Sequence, residues 1–325
     1  MKFPDDLQKS HIQLAILFGT LILYLIVKGA SPLLGEGLLA MIALEIFVMV
    51  AVEVRSGAKE FGWKHEIGDT MLALAVAVGI WLAASFLLNT SSPISAVVSC
   101  SMLPNLYRGD FVIVQGAPVS AYDITMTSDE FAALSRSAPV VSWSGGDASV
   151  KGSVYSYCVN YPDEPMCREF ISSPESVVER SGPLTFHYSQ CEISYTDGRK
   201  TNGPCLASID FKGTNYPMNL SHDVVIYASD PGTLFSQVGD IVHRAVFRMS
   251  VNGQYYYLTK GDNNPILDAQ VYDYPDSLGN VPIAQKNVKG RMLFRVPILG
   301  YYKLVISGYF KEDPQCSTQL SYGHV

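Results

Sequence analysis

The 325-residue chain carries 30 acidic against 23 basic side chains, a formal net charge of −7. With no segment gathering a basic stripe, that balance excludes nucleic acid as a partner. Nearly all the long apolar runs fall before residue 90, and the remainder mixes Ser, Tyr, Gly, Asp and Asn as a soluble domain does. The chain therefore reads as an N-terminal anchor followed by a C-terminal working part.

The first apolar runs are Ile12 to Val27 and Leu38 to Val52. Pro32, in the break between them, argues against one continuous helix, so they read as a helical hairpin. Glu45 falls in the middle of the second run, where an ionisable side chain needs a partner or a watery cavity. Thr70 to Leu88 is uncharged over about 28 Å of helix, close to a hydrocarbon core of about 30 Å, and is the clearest transmembrane span. Lys2 and Lys9 precede the first run, Arg55, Lys59 and Lys64 precede the third, and only Lys28 lies between the first two. The cytoplasmic bias of basic residues then puts residues 54–67 inside and everything after Leu88 outside. A cleaved leader fits poorly, because further spans follow and no small-x-small site ends the first run.

Beyond a polar break at Asn89-Thr-Ser-Ser-Pro, the β-branched and aromatic runs at Ile94 to Val98, Phe111 to Gln115, Val224 to Tyr227, Ile241 to Val246, Tyr255 to Leu258 and Met292 to Val296 predict strands. Gly, Asp, Asn and Pro turns separate them, which indicates a mainly β domain, and no GxGxxG or P-loop supports a nucleotide-binding fold. The segment between Ala117 and Ser221 reads as a β-rich insertion. It opens with a short helix at Ser128 to Arg136, whose first N–H groups Ser128 or Asp129 would cap. The expected organisation is a membrane anchor over 1–90, a β domain over 91–119 and 222–325, and an insertion domain over 120–221. Pro297 to Phe310 is apolar but too short to span; it is either a last strand or a segment resting on the membrane.

Cys158, Cys167, Cys191 and Cys205 all fall in the insertion, and an outside compartment would allow disulfides. Their spacing does not resemble a paired CxxC zinc site. Three connectivities are open, the most local joining 158 to 167 and 191 to 205. Cys100 and Cys316 are left over. Asn89-Thr-Ser and Asn219-Leu-Ser match the glycosylation sequon.

Peptide hydrolysis by serine requires a nucleophile on a tight turn, a base, a carboxylate to orient the base, and donors for the oxyanion. Ser101 follows a strand and precedes Met-Leu-Pro, which would fix its hydroxyl at the strand end. Its own N–H and the Ser99 hydroxyl would then face an oxyanion. His243 lies among β-branched residues in Asp240-Ile-Val-His-Arg-Ala-Val, while Asp262 and Asp268 share one loop. Taken singly, these residues have ordinary readings as turn serines, a buried strand histidine and turn aspartates. Cys100 offers a thiolate as a competing nucleophile, but along an extended segment its side chain points opposite to Ser101.

Four ordered motifs carry more. Ser99-Cys-Ser-Met-Leu-Pro-Asn-Leu-Tyr-Arg-Gly-Asp-Phe-Val, Asp223-Val-Val-Ile-Tyr with Ile241-Val-His-Arg-Ala-Val, Leu258-Thr-Lys-Gly-Asp-Asn-Asn, and Lys289-Gly-Arg-Met-Leu-Phe-Arg-Val-Pro-Ile-Leu-Gly-Tyr resemble the boxes of type I signal peptidases. The match is to the endoplasmic-reticulum and archaeal branch, which has His where bacterial relatives use Lys. It covers about half of the external part and none of the insertion. Two departures stand out: Cys100 where the family usually has Gly, and the insertion itself.

The resemblance implies N-terminal transmembrane helices followed by a mainly β signal-peptidase-type catalytic domain bearing a large β-rich insertion. By position it makes Ser101 the nucleophile, His243 the general base, Asp268 the carboxylate that orients it, and Asp262 a supporting residue. It implies a serine endopeptidase that removes signal peptides on the extracytoplasmic side of an archaeal cell membrane, or of the endoplasmic reticulum, with no metal or organic cofactor. Its implied partners are preprotein signal peptides, membrane lipid and the translocation machinery. Two alternatives stay open: a dedicated processing protease for one surface protein, and a membrane-anchored binding or assembly protein that no longer cleaves.

Overall fold

The computed structural model describes residues 5–27, 32–60, 62–136, 138–306 and 314–322. The chain divides into two compact units, Met1–Leu82 and Ala83–Val325.

The first unit is helical, with α1 (Asp5–Val27), α2 (Pro32–Glu60) and most of α3 (Trp63–Leu87). Pro32 opens α2, in the first turn, where its missing N–H removes no intrahelical bond. The turn expected between α1 and α2 lies outside the described residues. The Thr20 hydroxyl of α1 is 2.9 Å from Glu45 Oε1 of α2, so the mid-helix carboxylate has its partner. Among the described residues, α3 is the one helix long and apolar enough to cross a membrane, with mean hydropathy 2.2 and none of that stretch buried. The apolar part of α1, Ile12–Tyr24, is shorter.

The second unit is mostly β. In chain order it runs β1 (Ile94–Ala96), β2 (Phe111–Gln115), β3 (Tyr122–Met126), α4 (Ser128–Arg136), β4 (Val140–Trp143), β5 (Gly146–Ser149), α5 (Val154–Asn160), α6 (Pro165–Ser172), β6 (Val178–Ser181), β7 (Leu184–Tyr195), β8 (Lys200–Phe211) and β9 (Thr214–Pro217). There follow β10 (Val224–Ala228), β11 (Asp240–Val251), β12 (Gln254–Lys260), β13 (Tyr272–Asp273), β14 (Leu278–Gly279), β15 (Ile283–Ala284), β16 (Val288–Val296), α7 (Tyr301–Ile306) and β17 (Thr318–Ser321). One sheet has the order β1-β2-β16-β10-β11-β12-β15, with β3 added parallel to β11. The other has the order β5-β4-β6-β7-β8-β9, with β17 added to β7. Thus β3, from the segment 120–221, joins the first sheet, and β17, from the far end of the chain, joins the second.

The two sheets share a core. Ile124 and Met126 of β3 and Phe247 and Met249 of β11 cluster with Phe186 of β7 and Ile209 of β8. A second cluster, including Val97, Met102, Val112, Ile226 and Val242, backs the turn between β1 and β2. This alternation of buried and outward residues sets which side chains of each strand face the site.

Several local expectations change. The cap of α4 is Thr127, not Ser128 or Asp129. Thr127 Oγ1 accepts the Glu130 N–H and Glu130 Oε2 accepts the Thr127 N–H, a reciprocal capping box that outcompetes either neighbour. The expected β content of the insertion gives way at α5 and α6. Ser153 caps α5, Pro165 opens α6, and a Cys158–Cys167 disulfide clips the two helices together. Cys191 pairs with Cys205, and the two left-over cysteines, Cys100 and Cys316, form a third disulfide. The segment from Pro297 to Phe310, expected to be a last strand or a surface run, turns over 297–300 and then forms helix α7; 307–313 lie outside the described residues.

Candidate active site

The turn between β1 and β2 places Ser101. Val97 N–H donates to Asp110 O and Gly109 N–H to Val97 O, so the ends of the turn are cross-bonded. Inside it, Asp110 Oδ2 accepts the Tyr107 N–H at 3.0 Å and Arg295 Nη1 at 3.0 Å. The Ser101 carbonyl accepts the Asn263 N–H at 2.7 Å, which docks the Gly-Asp-Asn turn against the turn that carries Ser101. A Cβ on Gly261 would stand 2.6 Å from that carbonyl, so the approach requires glycine.

His243 comes from β11, opposite Val225 of β10. Its Nε2 lies 2.8 Å from Ser101 Oγ, and its Nδ1 lies 2.7 Å from Asp268 Oδ2. Because a carboxylate accepts, Nδ1 carries the proton and Nε2 presents its lone pair to the serine hydroxyl. Ser101, His243 and Asp268 are 8%, 5% and 3% exposed, so water screens these interactions weakly. A hydroxyl, an imidazole and a carboxylate in this order can pass the serine proton to the ring while the carboxylate stabilises the resulting imidazolium.

Asp268 sits in a short 3-10 turn, Asp268–Gln270, after β12. Besides His243, its Oδ2 accepts the hydroxyls of Thr259 at 2.6 Å and Tyr227 at 2.8 Å. Burial, followed by the Asp268 charge, pushes the Tyr227 phenol well above its ordinary value, so it stays a donor. Tyr227 ended a run that read as apolar strand, and Thr259 fell just past the run Tyr255 to Leu258, in the motif that begins at Leu258; neither was singled out from the sequence.

Asp262 is also buried but does not meet His243. Its two oxygens take Arg244 Nε at 2.7 Å and Nη2 at 2.6 Å, and Oδ2 also takes Asn105 Nδ2 at 2.7 Å. Arg244 follows His243 on β11, so alternation sends its side chain to the opposite face. The bidentate pair fastens the Gly-Asp-Asn turn to β11, and the Asn105 bond fastens it to the turn that carries Ser101. Lys260 supports the same turn: its ammonium donates to Gly261 O at 2.8 Å, to Asn264 O at 2.7 Å and to the Tyr322 hydroxyl. Burial pulls the Lys260 pKa down to about 8.

The Ser99 hydroxyl lies 3.0 Å from Ser101 Oγ. Cys100 is closed in its disulfide with Cys316 and offers no thiolate. A cavity of about 180 Å3 opens beside Ser101 and His243, lined in part by Ser99, Phe235, Val238 and Ile241. Among the described residues no group of His, Cys, Asp and Glu is arranged to hold a metal ion. No protein-family model matches this chain, and no curated protein sequence does.

Proposed function

We propose that the protein is a membrane-anchored serine endopeptidase of the type I signal peptidase kind. The observation that carries this reading is the contiguous Ser101–His243–Asp268 chain at 2.8 and 2.7 Å, set beside a small, largely apolar cavity. Ser101 attacks the scissile carbonyl as His243 Nε2 takes its proton. The Ser101 N–H and the Ser99 hydroxyl stabilise the oxyanion, and the imidazolium protonates the leaving amine. Water then releases the acyl group by the reverse proton path. Phe235, Val238 and Ile241 narrow the cavity to a size suited to the small side chains of a small-x-small cleavage site.

In this reading residues 1–90 anchor the chain through three spans, with 54–67 cytoplasmic. Residues 91–119 and 222–325 form the catalytic part around the insertion 120–221. The pairing of all six cysteines supports an oxidising, extracytoplasmic compartment. Ile298, just before α7, and Tyr302, within it, are 72% and 71% exposed and suit a domain that works at a lipid surface. Preprotein signal peptides, lipid and the translocation machinery are the corresponding partners, in an archaeal cell membrane or the endoplasmic reticulum.

The test is cleavage of a radiolabelled preprotein by the detergent-purified chain beside Ser101→Ala. The expected result is loss of processing by a factor of roughly 10⁴ or more with an unchanged melting curve. Equal processing by the two proteins would sink the assignment.

A further inference from the structure

The nucleophile turn is sewn to the far end of the chain. Cys100, between Ser99 and Ser101, is disulfide-bonded to Cys316 across a sequence separation of 216. Asn263, whose N–H already holds the Ser101 carbonyl, donates its side-chain amide to Cys100 O at 3.1 Å and Thr318 O at 2.9 Å. Its Oδ1 accepts the Leu320 N–H at 2.7 Å. Gln315 Nε2 donates to Asn264 Oδ1 at 2.7 Å, and Gln315 also lines the cavity beside Ser101. The carbonyls of residues 100 and 101 are thus held from behind by groups that themselves depend on residues 315–320.

This disulfide differs from the other two in access. Cys158, Cys167, Cys191 and Cys205 are 4%, 0%, 1% and 0% exposed. Cys316 is partly exposed, and both Cys100 and Cys316 line a separate cavity of about 320 Å3 together with Tyr107 and Tyr301. A small thiol therefore reaches this bridge first.

We propose that residues 314–322 are a working part of the active site: Cys316 and Asn263 are positioning residues that hold Ser101 against His243, and reduction of the Cys100–Cys316 disulfide slows acylation of Ser101. The proposal rests on the reading of Ser101 as nucleophile. In the reducing step a dithiol's thiolate attacks Cys316 Sγ, the Sγ–Sγ bond breaks, and Cys100 leaves as a thiolate that takes up a proton. The reagent's second thiolate then closes its own disulfide and releases Cys316 as a thiol. Two electrons and two protons pass to the protein. With the bridge open, the tail keeps its pairing to β7 and the Asn263 bonds but loses its covalent tie to Cys100, and the 2.8 Å approach of Ser101 to His243 loses part of its rear support.

The experiment uses the full chain in detergent with a preprotein bearing a small-x-small site. It compares wild type before and after brief dithiothreitol treatment, Cys316→Ala, and a Cys158→Ala, Cys167→Ala control, with thiols mapped by alkylation and mass spectrometry. A misplacement of about 1 Å costs roughly 10²-fold in rate, so Cys316→Ala should lose between about tenfold and a hundredfold in kcat with KM little changed. It should also become indifferent to the reductant. Wild type should fall to the same level once Cys100 and Cys316 are reduced, as alkylation of a withdrawn aliquot shows; the unalkylated remainder should recover on reoxidation, and the control should match wild type in both states. Wild-type kcat in Cys316→Ala, a loss no larger than its loss of folded fraction by circular dichroism, or equal sensitivity of Cys316→Ala to reductant would overturn the proposal while leaving the protease reading intact. Failure of the protease reading looks different: Ser101→Ala would then process as wild type does, and the positioning role would fall with it.

Discussion

Two buried carboxylates meet at one short turn, Asp268–Gln270: Asp268 belongs to it and Glu179 accepts from its Gln270, and the two are built alike. Asp268 takes three donors, from His243, Thr259 and Tyr227. Glu179 of β6 also takes three, from the Val154 N–H at 2.9 Å, the Tyr188 hydroxyl at 2.7 Å and Gln270 Nε2 at 3.1 Å. Burial raises the Glu179 carboxyl above its ordinary range and pushes the Tyr188 phenol well up. The difference lies in the donors. None of those around Glu179 titrates near neutrality, so that network can only fix the turn to the second sheet. One of the donors to Asp268 is an imidazole whose other nitrogen reaches a hydroxyl beside a cavity, so the same architecture becomes a proton path. A desolvated carboxylate is therefore no mark of chemistry by itself; what its donor can pass on decides.

The sharpest way to break this comparison is to neutralise each carboxylate in turn. Asp268→Asn should lower kcat by about 10⁴, because the amide holds the wrong imidazole tautomer. Glu179→Gln should cost less than about tenfold in rate and show its effect chiefly in the melting temperature. Equal losses in kcat for preprotein cleavage would erase the distinction. A second test asks whether Asp262 is structural in the same sense as Glu179. Arg244→Ala leaves Asp262 buried without its cation and should cost about 3–5 kcal/mol in urea unfolding, since removing one partner of a buried pair strands the other. A cost under about 1 kcal/mol would show that the pair is well hydrated.

The smallest effect concerns Lys260. Its native pKa, about 8, lies below the ordinary 10.5, so between those values the unfolded chain binds a proton that the native state does not. Stability then rises with pH through that window; the contribution is fully present above 10.5 and lost as pH falls through about 8. Relative to Lys260→Met, wild type should gain stability between pH 7.5 and 10 in denaturant titrations. A difference that stays flat, or changes in the opposite sense, would show that Lys260 is not desolvated as its burial implies.

Much of the fold was legible because its signals are local. Phe111–Gln115 and Ser128–Arg136 have the bounds their patterns predicted, and β10, β11, β12 and β16 each grew from a β-branched or aromatic run. The ordered motifs named Ser101, His243 and Asp268, and these three do meet. Other features left no local trace. Ser153, Pro165 and a disulfide turned a stretch expected to be β into two short helices. Cys100 stood where the resemblance led to Gly, and its pairing with Cys316 explains where its side chain goes.

By itself the sequence determined the elements: a long uncharged helix, strands whose alternate residues face inward, and the order in which a serine, a histidine and two aspartates follow one another. These depend on backbone sterics and side-chain periodicity, which act over a few residues. Only the tertiary structure decided the partners. It sent Asp268 to His243 and Asp262 to Arg244, put Tyr227 and Thr259 onto the Asp268 carboxylate, and brought Cys316 to Cys100. Such pairings join groups far apart in the chain, and they are fixed by how two sheets close over one core and by the cost of leaving any polar group there without a partner.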